Sequence, residues 1–404
     1  MKCLSDNVNV STTKQNYRLL IVSPVPVSSA NGKLFSLDLW VEDLKENLNV
    51  VESITVLAPR ALGALESAQS MPEAIKVVYL DQIVNRADIQ QLIHQVDVVS
   101  IGAGAPFWRI KTAFAIAQEA TINKKCLITA ITSDRAQTTI MNAVGKHWLK
   151  KMKAKITAWG INKATLKLAT FSSGVVVIGV SVLESIQLKH ANVYIETASW
   201  IHQQAIISDT ALEHKLTQIK ASSIPKAIIA TRLEPMKGIH MGIEALAQIR
   251  QQADITPTLS ILGKGAALDD LKALVAQHEL QAQVTFDGVR AYPEAFFAEI
   301  GRFELMLLTN LNVELPRLIF DAISQGLVPI CPDFASYLNL KLPQQVYYKK
   351  GDVQSLMQTW LNLSNIEVLE ATLRVLRPLA YEYTIESMHQ KRAGWVANAL
   401  ASNK

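Results

Sequence analysis

Residues 227–246 read AIIATRLEPMKGIHMGIEAL. Ala227–Thr231 has the short apolar character of a buried strand, while Ile239, Ile243 and Leu246 recur at helical spacing. Between them stand Arg232, at the end of the strand, and Lys237-Gly238, at the start of the helix. A strand leading through a short loop into a helix is half of a βαβ unit, so the stretch points to a parallel sheet. Its two cations stand where a helix N-terminus offers free N–H groups and a partial positive charge, which suits a phosphate or diphosphate. The same residues would equally make a solvated turn, and the neighbouring segments have to decide between the two.

The pattern repeats downstream. Thr258–Leu262 reads as a strand with Gly263-Lys264-Gly265 behind it and a helix running through His278. Val284–Phe286 with Gly288, a helix over Tyr292–Ile300, a strand over Leu305–Thr309, a helix over Arg317–Gln325 stopped by Gly326, and a strand over Val328–Cys331 follow. Three loops (Arg232–Gly238 and Gly263–Gly265, which carry glycine and cations, and Thr309–Pro316) each come after a strand and before a helix. In a parallel sheet such loops collect at the carboxyl edge, where ligands bind. The first half carries its own series. Arg18–Val27, Ile54–Ala58, Val77–Leu80, Asp97–Ile101, Cys126–Ala130 and Val175–Val180 read as strands, and Leu34–Leu48 as an amphipathic helix. The expected fold class is α/β with two Rossmann-like domains. The boundary falls within Ile201–Ser223, giving an N-terminal domain over 1–205, a C-terminal domain over 206–375, and a helical segment over 376–404 that packs back on the first domain.

A chain of 404 residues is long for a single core, which favours two domains. Its three cysteines are widely spaced, so neither a disulfide framework nor a metal-ligand spacing is present, and a reducing compartment fits. Residues 1–17 are mostly polar and no signal pattern is read there; no apolar run reaches the roughly 18 residues that span a bilayer. These features point to a cytoplasmic protein. The net charge of +5 is unevenly placed, with 21 basic and 15 acidic residues in 1–200 against 19 and 20 in 201–404. From Arg135 to Leu183 there is no acidic residue, and lysines alternate with Trp148, Leu149, Met152, Ile156 and Trp159 across 146–167. That segment admits three readings: a solvated helix face with its tryptophans inside, contact with an anionic membrane surface at the inner face, or attraction to nucleic acid, for which no fold signature accompanies it.

The stretch Ile228–Asp333 resembles the C-terminal domain of the retaining GT-B glycosyltransferases, group 1 or family GT4. The resemblance lies in Arg232-Leu-Glu-Pro-Met-Lys237-Gly238, Leu259-Ser-Ile-Leu-Gly263-Lys-Gly265, Val284-Thr-Phe-Asp-Gly288 and Leu315-Pro-Arg-Leu-Ile-Phe-Asp-Ala322 with Gly326-Leu-Val-Pro329, in that order. It implies a GT-B architecture, two Rossmann-like domains with a cleft between them, and transfer of a sugar from a nucleotide-diphosphate sugar to a hydroxyl acceptor with retention. The acceptor would be a sugar or a lipid-linked glycan. Arg232 and Lys237 would hold the diphosphate and offset the charge on the departing group. Gly263 and Gly265 would admit the nucleotide, Gly288, Val289 and Arg290 would border the base, and Pro316, Arg317, Leu318 and Asp321 would complete the donor pocket, with Asp321 on the ribose hydroxyls. No cofactor and no metal is implied, because the two cations already meet the diphosphate.

One position departs from the family. A glutamate that contacts the transferred sugar normally stands eight residues before the ribose carboxylate, and that position here is Val313. Glu314 is next to it, and a loop one residue shorter would let Glu314 take the role. On the acceptor side Asn31, Gly32 and Lys33 are candidates, as are Gly102 and Gly104, although each set also reads as a plain turn. A sugar-nucleotide epimerase and a catalytically silent homologue that binds nucleotide or a partner remain as alternatives.

Overall fold

The computed structural model describes residues 14–63, 65, 67–103, 107–221, 224–313, 315 and 317–402, with the backbone alone for 107–110. Residues 1–13 lie outside this range, as do Gly104, Glu314 and Pro316. The chain divides into two compact units: Met1–Trp200 with Ile385–Lys404, and Ile201–Thr384. The divisions at 200/201 and 384/385 stand five and nine residues from the 205/206 and 375/376 read from sequence.

The first unit has strands β1 (Gln15–Val22), β2 (Ser28–Ala30), β3 (Lys33–Leu37), β4 (Val51–Ala58), β5 (Ala68–Ser70), β6 (Ile75–Tyr79), β7 (Val98–Gly102), β8 (Cys126–Ile131), β9 (Gly174–Ile178) and β10 (Val193–Glu196). Seven of them form a parallel sheet in the order β10-β9-β8-β7-β1-β4-β6, so the chain reverses its direction of progress between β1 and β7. The first strand ends at Val22, short of Pro24 and Pro26, which cannot donate to a ladder. The expected helix over Leu34–Leu48 starts only at Asp38; Lys33–Leu37 is extended instead, pairing antiparallel with β2 and β5. The turn between β2 and β3 is Asn31-Gly32, both at positive φ (51° and 76°), the conformation that closes a two-residue hairpin. β10 was not read from the sequence, nor was the fact that Val180–Ser185 is helix rather than an extension of the strand before it.

The second unit has β11 (Ala227–Ala230), β12 (Leu259–Leu262), β13 (Val284–Gly288), β14 (Leu305–Leu307), β15 (Val328–Pro332) and β16 (Tyr347–Tyr348), in the order β13-β12-β11-β14-β15-β16. β11 and β12 are buried at every position, as parallel strands covered on both faces must be. The reversal in strand order falls between β11 and β14, and the loops that leave these two strands carry Arg232–Gly238 and Leu308–Arg317.

The segment Ile366–Leu400 is two helices, Ile366–Glu382 and Ile385–Ser402. The first packs in the core of the second unit through Leu369, Leu373 and Leu376. The other joins the core of the first: Trp395, Val396 and Ala399 lie among Tyr17, Leu19, Val98 and Val176. Trp395 stacks on Tyr194 with ring centroids 5.4 Å apart, and its edge fills the space where a Cβ on Gly174 would stand, 2.6 Å away.

Candidate functional site

At the carboxyl edge of the second sheet, four loops interlock through main-chain contacts. The loop after β11 makes a 3-10 turn over Pro235–Lys237, and Gly238, at φ 63° and ψ 23°, starts the helix Ile239–Gln252. Thr309 Oγ1 donates to the Lys237 carbonyl at 2.8 Å and Leu311 N to the Met236 carbonyl at 2.9 Å, so the loops after β11 and β14 are tied together. A Cβ at position 238 would stand 2.1 Å from the Thr309 carbonyl oxygen. The loop after β12 is bound as closely. Leu233 N donates to the Lys264 carbonyl at 3.0 Å, Ala267 N to that of Leu233 at 2.9 Å, and Gly263 N to that of Gly288 at 2.6 Å. Cβ atoms on Gly263 and Gly265 would meet the carbonyl oxygens of Thr231 and Leu233 at 1.9 and 2.3 Å. These glycines are therefore required by the packing of one loop on another, whatever ligand approaches.

The structure brings the side chains at this edge into distinct environments. Arg232 is 71 % exposed and bonds Glu234 Oε1 at 2.8 Å. An exposed pair of this kind contributes little stability, so a doubly charged diphosphate can compete for the guanidinium. Val289 is exposed; Arg290 is anchored by the Asp287 carbonyl at 2.6 Å and by Glu299 at 3.6 Å. Arg317 caps the short helix Leu318–Ser324, whose Leu318 is half-buried. Asp321, on that helix, is buried and accepts from Tyr292 Oη at 3.3 Å. Burial raises its pKa to about 7, while the Arg317 charge and the tyrosine bond pull it down. A ligand hydroxyl donating to this carboxyl would add to that downward pull.

Asn310 and Asn312 are buried. Asn310 Nδ2 donates to the Asn312 carbonyl at 2.8 Å and Tyr337 Oη donates to Asn310 Oδ1 at 2.6 Å. Val313 packs against the hydrophobic core, which is the physical reason for an apolar residue at that position. Tyr292, Thr309 and Tyr337 are site residues that the sequence reading missed. Their signal, a lone hydroxyl among apolar residues, is common to many cores.

In the first unit, Gly102 ends β7 and borders a cavity of about 420 Å³. Alternating residues of the sheet form its floor (Tyr17, Leu19 and Ile21 on β1, Val98 and Ser100 on β7) because side chains on a strand point to one face at every second position. The helices Asp38–Val50 and Ile385–Ser402 cover it with Trp40, Asp43 and Asn47, and with Met388, Arg392 and Val396. The loops at the β1/β7 reversal, with Ser23, Pro24 and Ala103, lie at its rim. Asn31, Gly32 and Lys33 are exposed on the hairpin and do not line this cavity.

One wall of the cavity is charged. Arg392 donates to Glu196 Oε2 at 3.3 Å and to His389 Nδ1 at 2.6 Å, and His389 Nε2 stands 3.0 Å from Asp43 Oδ1. Burial and the Arg392 charge hold the His389 pKa below its usual value, so the ring is neutral, with its proton on Nε2 toward Asp43. Burial raises the pKa of Glu196, whose Oε1 has no hydrogen-bond partner among the described residues. Among the described residues no group of three or more His, Cys, Asp or Glu is placed to hold a metal ion.

Residues 217–338 match the family model described as glycosyl transferases group 1. No curated protein matches the chain. Among solved structures, HepE from Anabaena in complex with UDP is 16 % identical with a TM-score of 0.65, over 95 % of this chain and all of that one. The same protein has also been solved with UDP-glucose. A glycosyltransferase from Rickettsia africae is 14 % identical with a TM-score of 0.62, over 95 % of this chain and 99 % of that one. WaaG, a glycosyltransferase involved in lipopolysaccharide biosynthesis, is 13 % identical with a TM-score of 0.60, over 93 % and 98 %. At these identities the likeness is one of fold, and the family match is confined to the segment that bears the interlocked loops. Residues 217–338 form a glycosyl transferases group 1 domain, within a chain of GT-B fold.

Proposed function

We propose that the protein transfers a sugar from a nucleotide-diphosphate sugar to a hydroxyl acceptor, with retention at the anomeric carbon. The observation that carries this reading is the interlocked edge of the second sheet, which fixes Arg232 and Lys237 on a rigid loop at the strand-order reversal. As the bond between the anomeric carbon and the diphosphate oxygen breaks, negative charge grows on that oxygen. Two preset cations lower the energy of that state more than that of the bound donor. The acceptor oxygen bonds to the same carbon on the face the diphosphate leaves, and its proton passes to the departing diphosphate oxygen. Asp321 would accept a ribose hydroxyl. The complexes of HepE with UDP and UDP-glucose support a nucleotide-sugar donor. The cavity of the first unit, apolar with one charged wall, is the candidate acceptor pocket. Its Glu196 Oε1 lacks a donor, which a sugar hydroxyl supplies. No helix among the described residues is long and apolar enough to cross a membrane, so a lipid-linked acceptor would be met at a membrane surface.

The test is release of nucleoside diphosphate from a panel of nucleotide sugars, with and without an acceptor extract. Acceptor-dependent release from one donor is expected. Arg232→Ala and Lys237→Ala each lower kcat/KM by about a hundredfold, in the range found for loss of one charge-stabilising group. A second reading, binding without transfer, is favoured by Val313, which packs apolar surface where the family has a sugar-contacting carboxylate. Tight nucleoside diphosphate binding with no release from any donor would establish it.

A further inference from the structure

The acid-free segment read from sequence forms the helix Trp148–Thr170. Its core-facing residues are Ala154, Ala158, Thr165, Leu168 and Ala169, small for the most part. At about 100° per residue, Trp148, Leu149, Met152, Ile156 and Trp159 fall on the opposite side. All five are exposed, Trp148 by 63 % and Trp159 by 65 %. The tryptophans thus point away from the core, against the reading that placed them inside. Ile140 and Val144, on the adjoining turn and short helix, are exposed as well, so seven large apolar side chains within twenty residues face solvent. Lys153 and Lys155 flank the stripe on either side, and Lys163 extends along it with its ammonium 4.9 Å from the Trp159 ring.

We infer that this helix docks flat on an anionic lipid surface, with the Trp148–Trp159 stripe inserted at the headgroup level and the lysines on the surrounding phosphates. Four arguments select that occupant. Tryptophan combined with lysine on one exposed face matches the boundary between acyl chain and headgroup. A second copy of the chain would bring a lysine-rich face against its like, with no acidic residue between 135 and 183 to pair it. Nucleic acid would satisfy the lysines but leave Leu149, Met152 and Ile156 in water. Protein interfaces are depleted in lysine at their centres, which this face is not. The inference stands on the helix alone and holds whether or not the protein transfers a sugar.

The test is co-sedimentation of the full chain with vesicles of phosphatidylcholine, alone and mixed with phosphatidylglycerol. Binding to the mixed vesicles, weakened by salt and accompanied by a blue shift of tryptophan emission, is expected. The triple variant Lys151→Gln, Lys153→Gln, Lys155→Gln lowers the partition about a hundredfold, at roughly a factor of five per near-surface lysine. The double variant Trp148→Ser, Trp159→Ser abolishes the emission shift. All five residues are exposed, so thermal unfolding by circular dichroism should match that of the parent. Absence of binding, or equal binding to both vesicles, overturns the inference. So does a dimer in sedimentation equilibrium that the tryptophan variant dissolves, which would assign the face to a second copy.

Discussion

The two units place their candidate sites at the same topological point, a reversal of strand order, and build them from different material. In the second unit the edge is main chain: four loops held by peptide hydrogen bonds, with glycines wherever one backbone touches another. In the first unit the edge is side chain: a cavity floored by alternating strand residues and walled by Asp43, Glu196 and Arg392, with His389 bonded to Asp43 and Arg392. A site made of backbone fixes its geometry by chain continuity over a few residues. A site made of side chains is fixed only when segments far apart in the chain have packed, and its shape follows every change in that packing.

The sharpest way to break this comparison is at Gly263. Its φ of 152° and the Thr231 carbonyl oxygen, 1.9 Å from the Cβ position, leave alanine no room unless β11 and β12 move apart. Gly263→Ala is expected to lower stability by about 4 kcal/mol, the range reserved for backbone strain and overpacking together, and to weaken nucleoside diphosphate binding. Urea unfolding and isothermal titration measure the two. A loss of under about 1 kcal/mol would mean that the loops are not locked by their backbones.

The side-chain site is probed at Arg392. Arg392→Met leaves Glu196 and Asp43 without their shared cation in a buried setting, with an expected loss of about 3 kcal/mol at pH 7. Repeating the measurement at pH 5 sharpens it. The unfolded glutamate titrates near its ordinary value, whereas the folded one is raised by burial, so its neutral form persists to higher pH in the folded state and the variant recovers part of its stability on acidification. An equal loss at both pH values would count against an uncompensated Glu196.

The smallest expected effect belongs to Asp321. Its pKa rises from 3.8 unfolded to about 7 folded, so the folded state holds the extra proton between those values. The stability it contributes is complete below pH 3.8 and is lost as pH rises through about 7, roughly 2 kcal/mol of it between pH 5 and pH 7. Asp321→Asn removes that slope from chemical unfolding curves. If the parent and the variant show the same slope, the carboxyl is not held in the environment described.

This contrast also explains what the sequence discloses. Arg232-Leu-Glu-Pro-Met-Lys237-Gly238 and Gly263-Lys264-Gly265 are visible because a main-chain site demands particular residues at short, fixed spacings. The strands of the second unit are visible for a related reason, since burial on both faces gives unbroken apolar runs. The cavity wall was not visible. Asp43, Glu196 and Arg392 are drawn from positions over three hundred residues apart, and no period links them. The hairpin at Ser28–Leu37 was overlooked although Asn31-Gly32 is a strong turn signal, because Leu34–Leu48 also has helical periodicity and strand pairing with Ala68–Ser70 overrides it. The direction of Trp148 and Trp159 was open in the sequence because a helix with apolar residues on two faces has two possible inner sides. The small alanine face decided it.

The stacking of Trp395 on Tyr194, over Gly174, has a bearing on the order of synthesis. The first unit begins near the start of the chain, yet its core includes a helix made after the whole second unit has left the ribosome. Until then Tyr194, Val176 and the bare surface of Gly174 have no cover, and the apolar face of that sheet must wait for its last element. A nascent chain arrested at Thr384 would therefore present a finished second unit beside an unfinished first, with its exposed face open to chaperones.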